Sequence, residues 1–223
     1  MRKIRGKTCQ DILTIPSNPT IIGEFLGVFA GDGYFFFDPK GYHYTFLITL
    51  HAKNDLQYVE YLETMFRSHF NKEVRKYYVG NSIRIMFESK KLFNFINSKL
   101  EIKNKTYNVR LKGRIDDYGM DFLLAFVRGL MDTDGYVREY SIGIKMASKY
   151  VIYQISKILK KIDIENKISI IKDPRPNCKT LYQISINKNQ LSNFYGKINF
   201  SNPKKREKLI KIMRRPGVEV PKP

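Results

Sequence analysis

Cysteine and long apolar runs are both scarce in this sequence. Its 223 residues include only Cys9 and Cys178, too few for a disulfide scaffold or a cysteine-rich zinc site, which favours a reducing compartment. No apolar run approaches the roughly 18–20 residues that a membrane-spanning helix needs, and no signal-type apolar core follows the start MRKIRGKTCQ. We therefore expect a soluble, intracellular protein of the cytoplasm or an organelle, with no membrane partner.

Acidic side chains are also in short supply. The chain has 21 Asp and Glu against 40 Lys and Arg, a net charge of +19, and the excess is present in both halves. Residues 1–112 hold 18 basic and 10 acidic side chains, and residues 113–223 hold 22 and 11. Because so large a charge is best tolerated beside a polyanion, and because 43% hydrophobic residues are enough for a packed core, a globular nucleic-acid-binding protein is favoured over a disordered basic chain.

The order of predicted elements is the same in the two halves. Residues 19–32 read as a helix that Asn18 or Thr20 caps and that Gly33 closes in a left-handed conformation. Two hairpins and two further helices follow, giving the order α-β-β-α-β-β-α, and the second half repeats it. We predict an α+β fold of two αββαββα units: residues 1–112 with a basic N-terminal leader, and residues 113–223 with a basic C-terminal helix, joined by a linker at 112–119.

Small residues recur at every fourth position of the first predicted helix in each half. They are Gly23, Gly27 and Gly31 in the first copy and Ala125, Gly129 and Thr133 in the second. Residues four apart share one face of a helix, and small side chains on that face allow two helix backbones to approach closely. The two copies are therefore expected to meet along these helices.

Both of these helices end in Asp-Gly, with Asp32 and Asp134 at matching positions. A carboxylate at the negative end of a helix dipole is unfavourable unless a cation lies beside it. Carboxylate and free carbonyl oxygens suit Mg²⁺, and two adjacent helix ends would give two metal sites suited to phosphodiester hydrolysis. The alternative for one isolated copy is a plain turn dipeptide, but two copies with matching small-residue stripes favour the site.

The segments FLGVFAGDG (25–33) and VRGLMDTDG (127–135) resemble the two signature helices of the LAGLIDADG homing endonucleases. The resemblance implies a monomer with pseudo-twofold symmetry and two saddle-shaped antiparallel sheets packed through the motif helices. It also implies cleavage of both strands of double-stranded DNA across the minor groove, leaving short 3′ overhangs. Asp32 and Asp134 fall on the metal-binding acid of the family, so that they and the neighbouring Gly31 and Thr133 would hold two or three divalent cations, Mg²⁺ above all. Ala30 and Asp132 fall on a position where many members carry a second, non-catalytic Asp.

The resemblance also implies a basic residue just after the third helix of each repeat, near the cleaved phosphate. The matching residue in LEIKNK is Lys103, expected to be catalytic, and in INFSNPKK it is Ser201, with Lys204 and Lys205 nearby. A polar residue near the end of the second strand would hold the water network: His51 or Lys53 in the first copy and Lys145 or Ser148 in the second. The alternative for each lysine is a solvated surface charge.

Alternate residues of a strand face the same side, so a sheet laid in a DNA groove presents every second side chain to the bases. The DNA-facing candidates are basic, aromatic or amide residues of the predicted strands and their loops: Arg75, Tyr77, Arg84, Arg138, Tyr140, Lys145, Lys172, Arg175, Tyr182 and Gln183.

The resemblance makes an intron-encoded, site-specific DNA endonuclease with a long asymmetric target the leading hypothesis. The rival is an RNA maturase or another nucleic-acid-binding protein that keeps the fold without cleavage. An intein is disfavoured by the first residue, Met, and the last two, Lys-Pro.

Overall fold

The computed structural model describes residues 12–40, 43–172, 174–175 and 178–214. Cys9, much of the basic leader and the residues after Arg214 lie outside these ranges, and Cys178 is exposed. Within them, no helix is both long and apolar enough to cross a membrane.

The first repeat contains three helices and two hairpins in the predicted order. Its helices are α1 (Pro19–Asp32), α2 (Leu56–Phe70) and α3 (Lys90–Lys99), and its strands are β1 (Gly33–Asp38), β2 (His43–His51), β3 (Arg75–Val79) and β4 (Ser82–Glu88). Three short elements follow that the sequence does not predict: β5 (Leu100–Glu101), α4 (Lys105–Asn108) and β6 (Arg110–Leu111).

The second repeat has the same order and a further helix at its end. Its helices are α5 (Met120–Thr133), α6 (Lys149–Lys161), α7 (Leu191–Lys197) and α8 (Pro203–Met213), and its strands are β7 (Gly135–Val137), β8 (Ser141–Met146), β9 (Lys167–Ile171) and β10 (Leu181–Asn187). The two four-stranded antiparallel sheets are ordered β1-β2-β4-β3 and β7-β8-β10-β9. The α+β fold of two αββαββα units is thus confirmed.

The start of α1 is as predicted, but its end is not. The Asn18 side chain caps the helix by accepting from the backbone N–H groups of Thr20 and Ile21. Gly33 is extended, with φ −79° and ψ 149°, so the prediction of a left-handed residue there is wrong. A glycine is needed for space instead, because a Cβ on Gly33 would lie 2.6 Å from the Cα of Phe29.

Helices α1 and α5 pack against each other along the small-residue stripe. A Cβ on Gly27 would lie 2.9 Å from the backbone nitrogen of Leu130, and one on Gly129 would lie 2.7 Å from that of Val28. Since real Cβ atoms do not approach backbone this closely, only glycine allows the two helices to touch as they do. The helix contact expected from Gly23, Gly27, Ala125 and Gly129 is the contact that joins the two repeats.

The two repeats also exchange polar contacts away from this stripe. The tail of the first repeat docks on α6 of the second, because Leu111 and the Gln154 side chain exchange two hydrogen bonds of 2.9 Å. Across the helix pair, the buried Glu24 carboxylate accepts from Tyr61 at 2.7 Å and pairs with Arg128 at 3.3 Å. These contacts add to the helix packing that joins the two repeats.

Candidate active site

The two Asp-Gly helix ends lie side by side at the junction of the repeats. Asp32 is the last residue of α1, and Asp134 caps α5. A Cβ on Gly31 would lie 2.5 Å from Oδ2 of Asp134, so this carboxylate rests against the end of the opposite helix. The paired acids expected from the repeated sequence are thus brought together.

Burial disfavours the charged forms of both acids, and charge repulsion adds to this effect at Asp32. Burial, followed by the negative charge of Asp134, raises the pKa of Asp32 to about 7. Asp134 is an exposed residue by its total surface, yet protein atoms surround its carboxyl group. The resulting desolvation raises the pKa of this group as well. Lys105 and Lys205 lower both pKa values, but they offset only part of these effects.

A lysine ammonium group covers each helix end. The Nζ of Lys105 donates to the carbonyl oxygens of Gly31 at 2.5 Å and Gly33 at 2.7 Å. The Nζ of Lys205 donates to those of Met131 at 3.0 Å and Thr133 at 2.8 Å. These two cations complement the negative ends of the helix dipoles, where the Asp-Gly helix ends predict a nearby positive charge.

The lysine of the first repeat differs from the one predicted. Lys103 is exposed, and its backbone N–H donates to Glu101, whereas Lys105, at the start of α4, reaches the helix end. In the second repeat Ser201 donates its backbone N–H to Asp132, and Lys205 takes the place equivalent to Lys105. The signal in the sequence was the repeat itself, because Lys105 and Lys205 align at an offset of 100, close to the 102 that relates Asp32 to Asp134.

The lysines carry an electrostatic cost of their own. Burial lowers the pKa of Lys105 to about 8, although Asp134 and Asp32 oppose that shift. Burial likewise lowers the pKa of Lys205, against the charges of Asp132 and Asp134. An ammonium group with a depressed pKa can give up or share a proton near neutral pH more readily than a surface lysine can.

A third acid, Asp55, faces the centre from the start of α2. It raises the pKa of both Asp32 and Lys205 through its charge, and its Oδ1 accepts from Asn202 at 3.4 Å. Nothing in the Asp-Gly pattern pointed to it. At least three acids therefore lie near the two lysines Lys105 and Lys205.

The donors at the helix ends fit a divalent cation. Mg²⁺ takes hard oxygen ligands and is commonly held by one or two carboxylates together with substrate phosphate and water. Asp32 and Asp134 supply two carboxylates, and a divalent cation beside them would favour the charged forms that burial disfavours. Among the residues described, no group of three or more His, Cys, Asp or Glu side chains is placed to hold a metal, and the Gly31 and Thr133 carbonyls already accept from lysine, so phosphate or water would have to complete the shell.

A cavity of about 280 Å³ opens beside Asp134 and is bordered by cations. It lies between the helix end and the second sheet, and its charged or carbonyl-bearing lining includes Gly31, Lys105, Asp134, Lys145 and Lys179. Lys145 was one of two candidates for the water network, whereas the other, Ser148, is buried and donates to the carbonyl of Val109. The lysines in its lining would attract an anionic group towards the acids.

The predicted DNA-facing residues of the first sheet share its open face. Tyr77 pairs with Arg84 and Arg75 pairs with Met86 across the β3–β4 ladder, whereas Ile83, Ile85 and Phe87 of β4 face the core. Arg75, Tyr77 and Arg84 are all exposed. This part of the prediction agrees with the direction of the side chains.

In the second sheet, the structure separates the candidates into three groups. Lys145 and Gln183 pair across β8 and β10 on the open face, and Tyr136, which the sequence did not single out, joins them by a 3.1 Å contact to Ser185. Tyr182 faces the other way, with Ile184 and Ile186, and packs on the core, which contradicts its DNA-facing assignment. The remaining candidates are exposed in the two hairpin loops of this sheet: Arg138, Tyr140, Lys172 and Arg175.

Comparisons with known proteins agree with this architecture. Residues 121–199 match the family described as LAGLIDADG-like domain. A crystal structure of I-DmoI in complex with DNA and Ca has a TM-score of 0.62 at 20% identity, covering 86% of this chain and 97% of that one. The homing endonuclease I-WcaI bound to its DNA recognition sequence has a TM-score of 0.60 at 16% identity, covering 88% of both chains.

Several curated relatives come from Methanocaldococcus jannaschii. Its glutamine–fructose-6-phosphate aminotransferase is 28% identical over 207 residues, and its replication factor C small subunit is 30% identical over 195 residues. These matches cover 90% and 86% of this chain but only 18% and 10% of those proteins. An uncharacterised protein of the same organism is 26% identical over 208 residues, which is 71% of its length.

The chain therefore has the fold of the LAGLIDADG homing endonucleases and carries a LAGLIDADG-like domain in its second repeat. The resemblance stated from the two Asp-Gly motifs is confirmed. At these identities the structural likeness establishes the fold, and what this chain does at its own helix ends is a separate matter.

Proposed function

We propose that this chain is a site-specific DNA endonuclease that acts as a monomer and hydrolyses one phosphodiester bond in each strand of a double-stranded site. The observation that carries the proposal is that one acid and one lysine lie at each of two adjacent helix ends: Asp32 and Lys105 at the end of α1, and Asp134 and Lys205 at the end of α5. A site of this kind has two equivalent halves, as cutting two strands requires.

The open faces of the two sheets support DNA as the partner. Both carry exposed basic or aromatic side chains, and the structures similar to this one include complexes of I-DmoI and I-WcaI with DNA. A net charge of +19 gives the attraction to phosphate that such a surface needs. We propose a long asymmetric target, because the side chains on the two sheets differ.

Asp32 and Asp134 would hold the divalent cation, with Mg²⁺ the preferred ion. When bound, such an ion polarises the scissile phosphate and lowers the pKa of the attacking water. The two carboxylates fix its place, and the ammonium groups of Lys105 and Lys205 lie where they can stabilise negative charge that develops on a phosphate oxygen. The cationic cavity beside Asp134 gives the phosphate an approach to one of the two acids.

The test is a selection of cleaved sites from randomised and genomic DNA pools, run in parallel with Mg²⁺ and with a chelator. We expect one long sequence to be recovered, cut in both strands, and only with the metal. Retention of a specific site without cleavage at any metal concentration would favour the non-cleaving maturase or binding protein instead. The intron origin and the 3′ overhangs stay predictions that the recovered ends and their genomic position address.

A further inference from the structure

Asp132 is a buried acid that the proposed chemistry leaves unused. It lies two residues before Asp134 on α5 and is 1% exposed. Its Oδ1 accepts from the backbone N–H of Asn202 at 2.9 Å, and its Oδ2 accepts from that of Ser201 at 3.2 Å. A buried carboxylate with both oxygens bound to backbone N–H groups fixes the segment that donates to it.

That segment is the start of α8, the helix that carries Lys205. Asn202 is its N-cap, and its Oδ1 accepts from the backbone N–H of Lys205 at 3.3 Å. The Asn202 amide also donates at 3.4 Å to the backbone carbonyl of Asp132 and to Asp55 of the first repeat. Asn202 therefore ties α8 to the end of α5 and to the start of α2.

The lysine of the first repeat is held in another way. Ala30 occupies the position equivalent to Asp132, and a methyl group accepts no hydrogen bond. Lys105 begins the one-turn helix α4, whose N-cap residue, Asn104, has φ 52° and makes no side-chain capping bond to any described residue. The two halves of the site thus have equivalent lysines but unequal support.

We propose that Asp132 is a positioning residue that holds Ser201 and Asn202, and through them α8, so that the Lys205 ammonium group stays on the end of α5 for the cleavage of one DNA strand. The inference rests on the proposed endonuclease function. Because displacing a reacting group by about 1 Å can cost a factor of about 100 in rate, loss of the hydrogen bonds to Asp132 should slow that strand by about tenfold to a hundredfold.

The experiment measures the cleavage rate of each strand separately on the selected site with Mg²⁺. Four proteins are compared: wild type, Asp132→Asn, Lys205→Met and the double variant. We expect Asp132→Asn and Lys205→Met to slow the same strand, nicked DNA to accumulate, and the double variant to be no slower than Lys205→Met alone. Such non-additivity marks two residues that act through one group.

Substitutions that leave the charge unchanged separate the effect of the position of Lys205 from the effect of the charge of Asp132. Asn202→Ala removes the cap without changing the charge near the acids, and we expect it to slow the strand that Lys205→Met slows. Asn202→Ser restores an N-cap, since serine caps about as well as asparagine, and should recover most of the rate. Ser89→Ala removes the buried N-cap of α3, remote from the helix ends, and controls for a general loss of stability.

Equal slowing of both strands by Asp132→Asn, or multiplication of its effect with that of Lys205→Met, would overturn the inference while leaving the endonuclease intact. Absence of cleavage by wild type would instead count against the proposed function. Hydrogen exchange tests the role of Asp132 in that case as well. In Asp132→Asn, the amides of residues 201–205 should exchange at least about tenfold faster than in wild type, while the exchange rates of residues 105–108 stay the same. Unchanged exchange at 201–205 would show that Asp132 does not hold α8.

Discussion

At the scale of single residues, the centre of this molecule is defined by charges that are close together and poorly solvated. Burial raises the pKa of both Asp32 and Asp134, and the charge of Asp134 raises that of Asp32 further. Burial also lowers the pKa of Lys105 and Lys205 beside them. Groups that share a desolvated space in this way are typical of functional sites. The Asp pair was predictable because it recurs in a repeated motif. Lys105 also recurs, as Lys205, but its offset of 100 differs from the 102 that relates the two acids, and it lies on a one-turn helix that has no periodic pattern.

Lys105→Met should slow cleavage of one strand much more than the other, because the ammonium group that covers Gly31 and Gly33 is lost. Binding should change little, since one positive charge among many contributes a small share. Lys103→Met is the matched control, as it removes an exposed lysine two residues away. Cleavage time courses on DNA labelled separately on each strand measure the rates of both variants. A large effect of Lys103→Met with none of Lys105→Met would restore the residue that the motif spacing first indicated.

The raised pKa of Asp32 makes stability depend on pH. Its folded pKa of about 7 lies above the ordinary 3.8, so between these values the folded state binds the proton that the unfolded state releases. The free energy of unfolding of the metal-free protein should therefore fall as pH rises from about 4 to 7. Urea denaturation of wild type and Asp32→Asn across this range isolates the contribution of Asp32. Identical pH slopes for the two proteins would mean that Asp32 titrates normally.

At the scale of elements, the contact between α1 and α5 sets how far apart the two acids lie. The bounds of α1 and the small-residue stripe of both helices could be predicted from the sequence, because the cap at Asn18 and small residues at every fourth position are local patterns. The extended Gly33 could not, since it begins β1 and lies opposite Ile48 of β2 in the strand pairing. Tyr182 was misassigned because its face depends on the register of β10 with β8, and a shift of one residue reverses every side chain.

Gly27→Ala should destabilise the protein by about 1–3 kcal/mol, because the new methyl group would overlap the backbone of α5 at Leu130. Gly196→Ala is the control: it lies in α7, where a Cβ would meet no described atom within 4 Å, and an added methyl group should be neutral or stabilise by up to about 1 kcal/mol. Thermal and urea unfolding compare the two. Equal stability of both variants would show that α1 and α5 do not touch as closely as described.

At the scale of the whole molecule, duplication is what the sequence reveals best and asymmetry is what it reveals least. The order of elements, which is the same in both halves, predicts two repeats. The net charge of +19 predicts a polyanionic partner. The differences between the halves, such as Asp132 against Ala30 and the polar contacts of α8 with α2, arise from long-range packing. They concern residues about 70 or 150 positions apart, beyond the reach of any local pattern.

DNA binding should weaken steeply with salt, with a slope of log affinity against log salt that corresponds to at least about six phosphates. Arg84→Ala, on the open face of the first sheet, should reduce the magnitude of this slope by about 1 if it contacts phosphate. Lys160→Ala is the control, because it removes an exposed lysine from α6, which covers the opposite face of the second sheet. A slope equivalent to one or two phosphates would exclude an interface that spans both sheets.

The central claim is that Asp32 and Asp134 together make this fold a metal-dependent nuclease, and the most direct measurement is the double-strand cleavage rate of Asp32→Asn and Asp134→Asn on the selected site with Mg²⁺. Asparagine keeps the shape but loses the charge that holds the cation. Each variant should lose about a hundredfold or more in rate while its DNA affinity stays near that of wild type. Asp121→Asn, exposed in the first turn of α5, is the matched control and should cleave normally. Cleavage of both strands by either site variant at a rate close to that of the control would contradict the account.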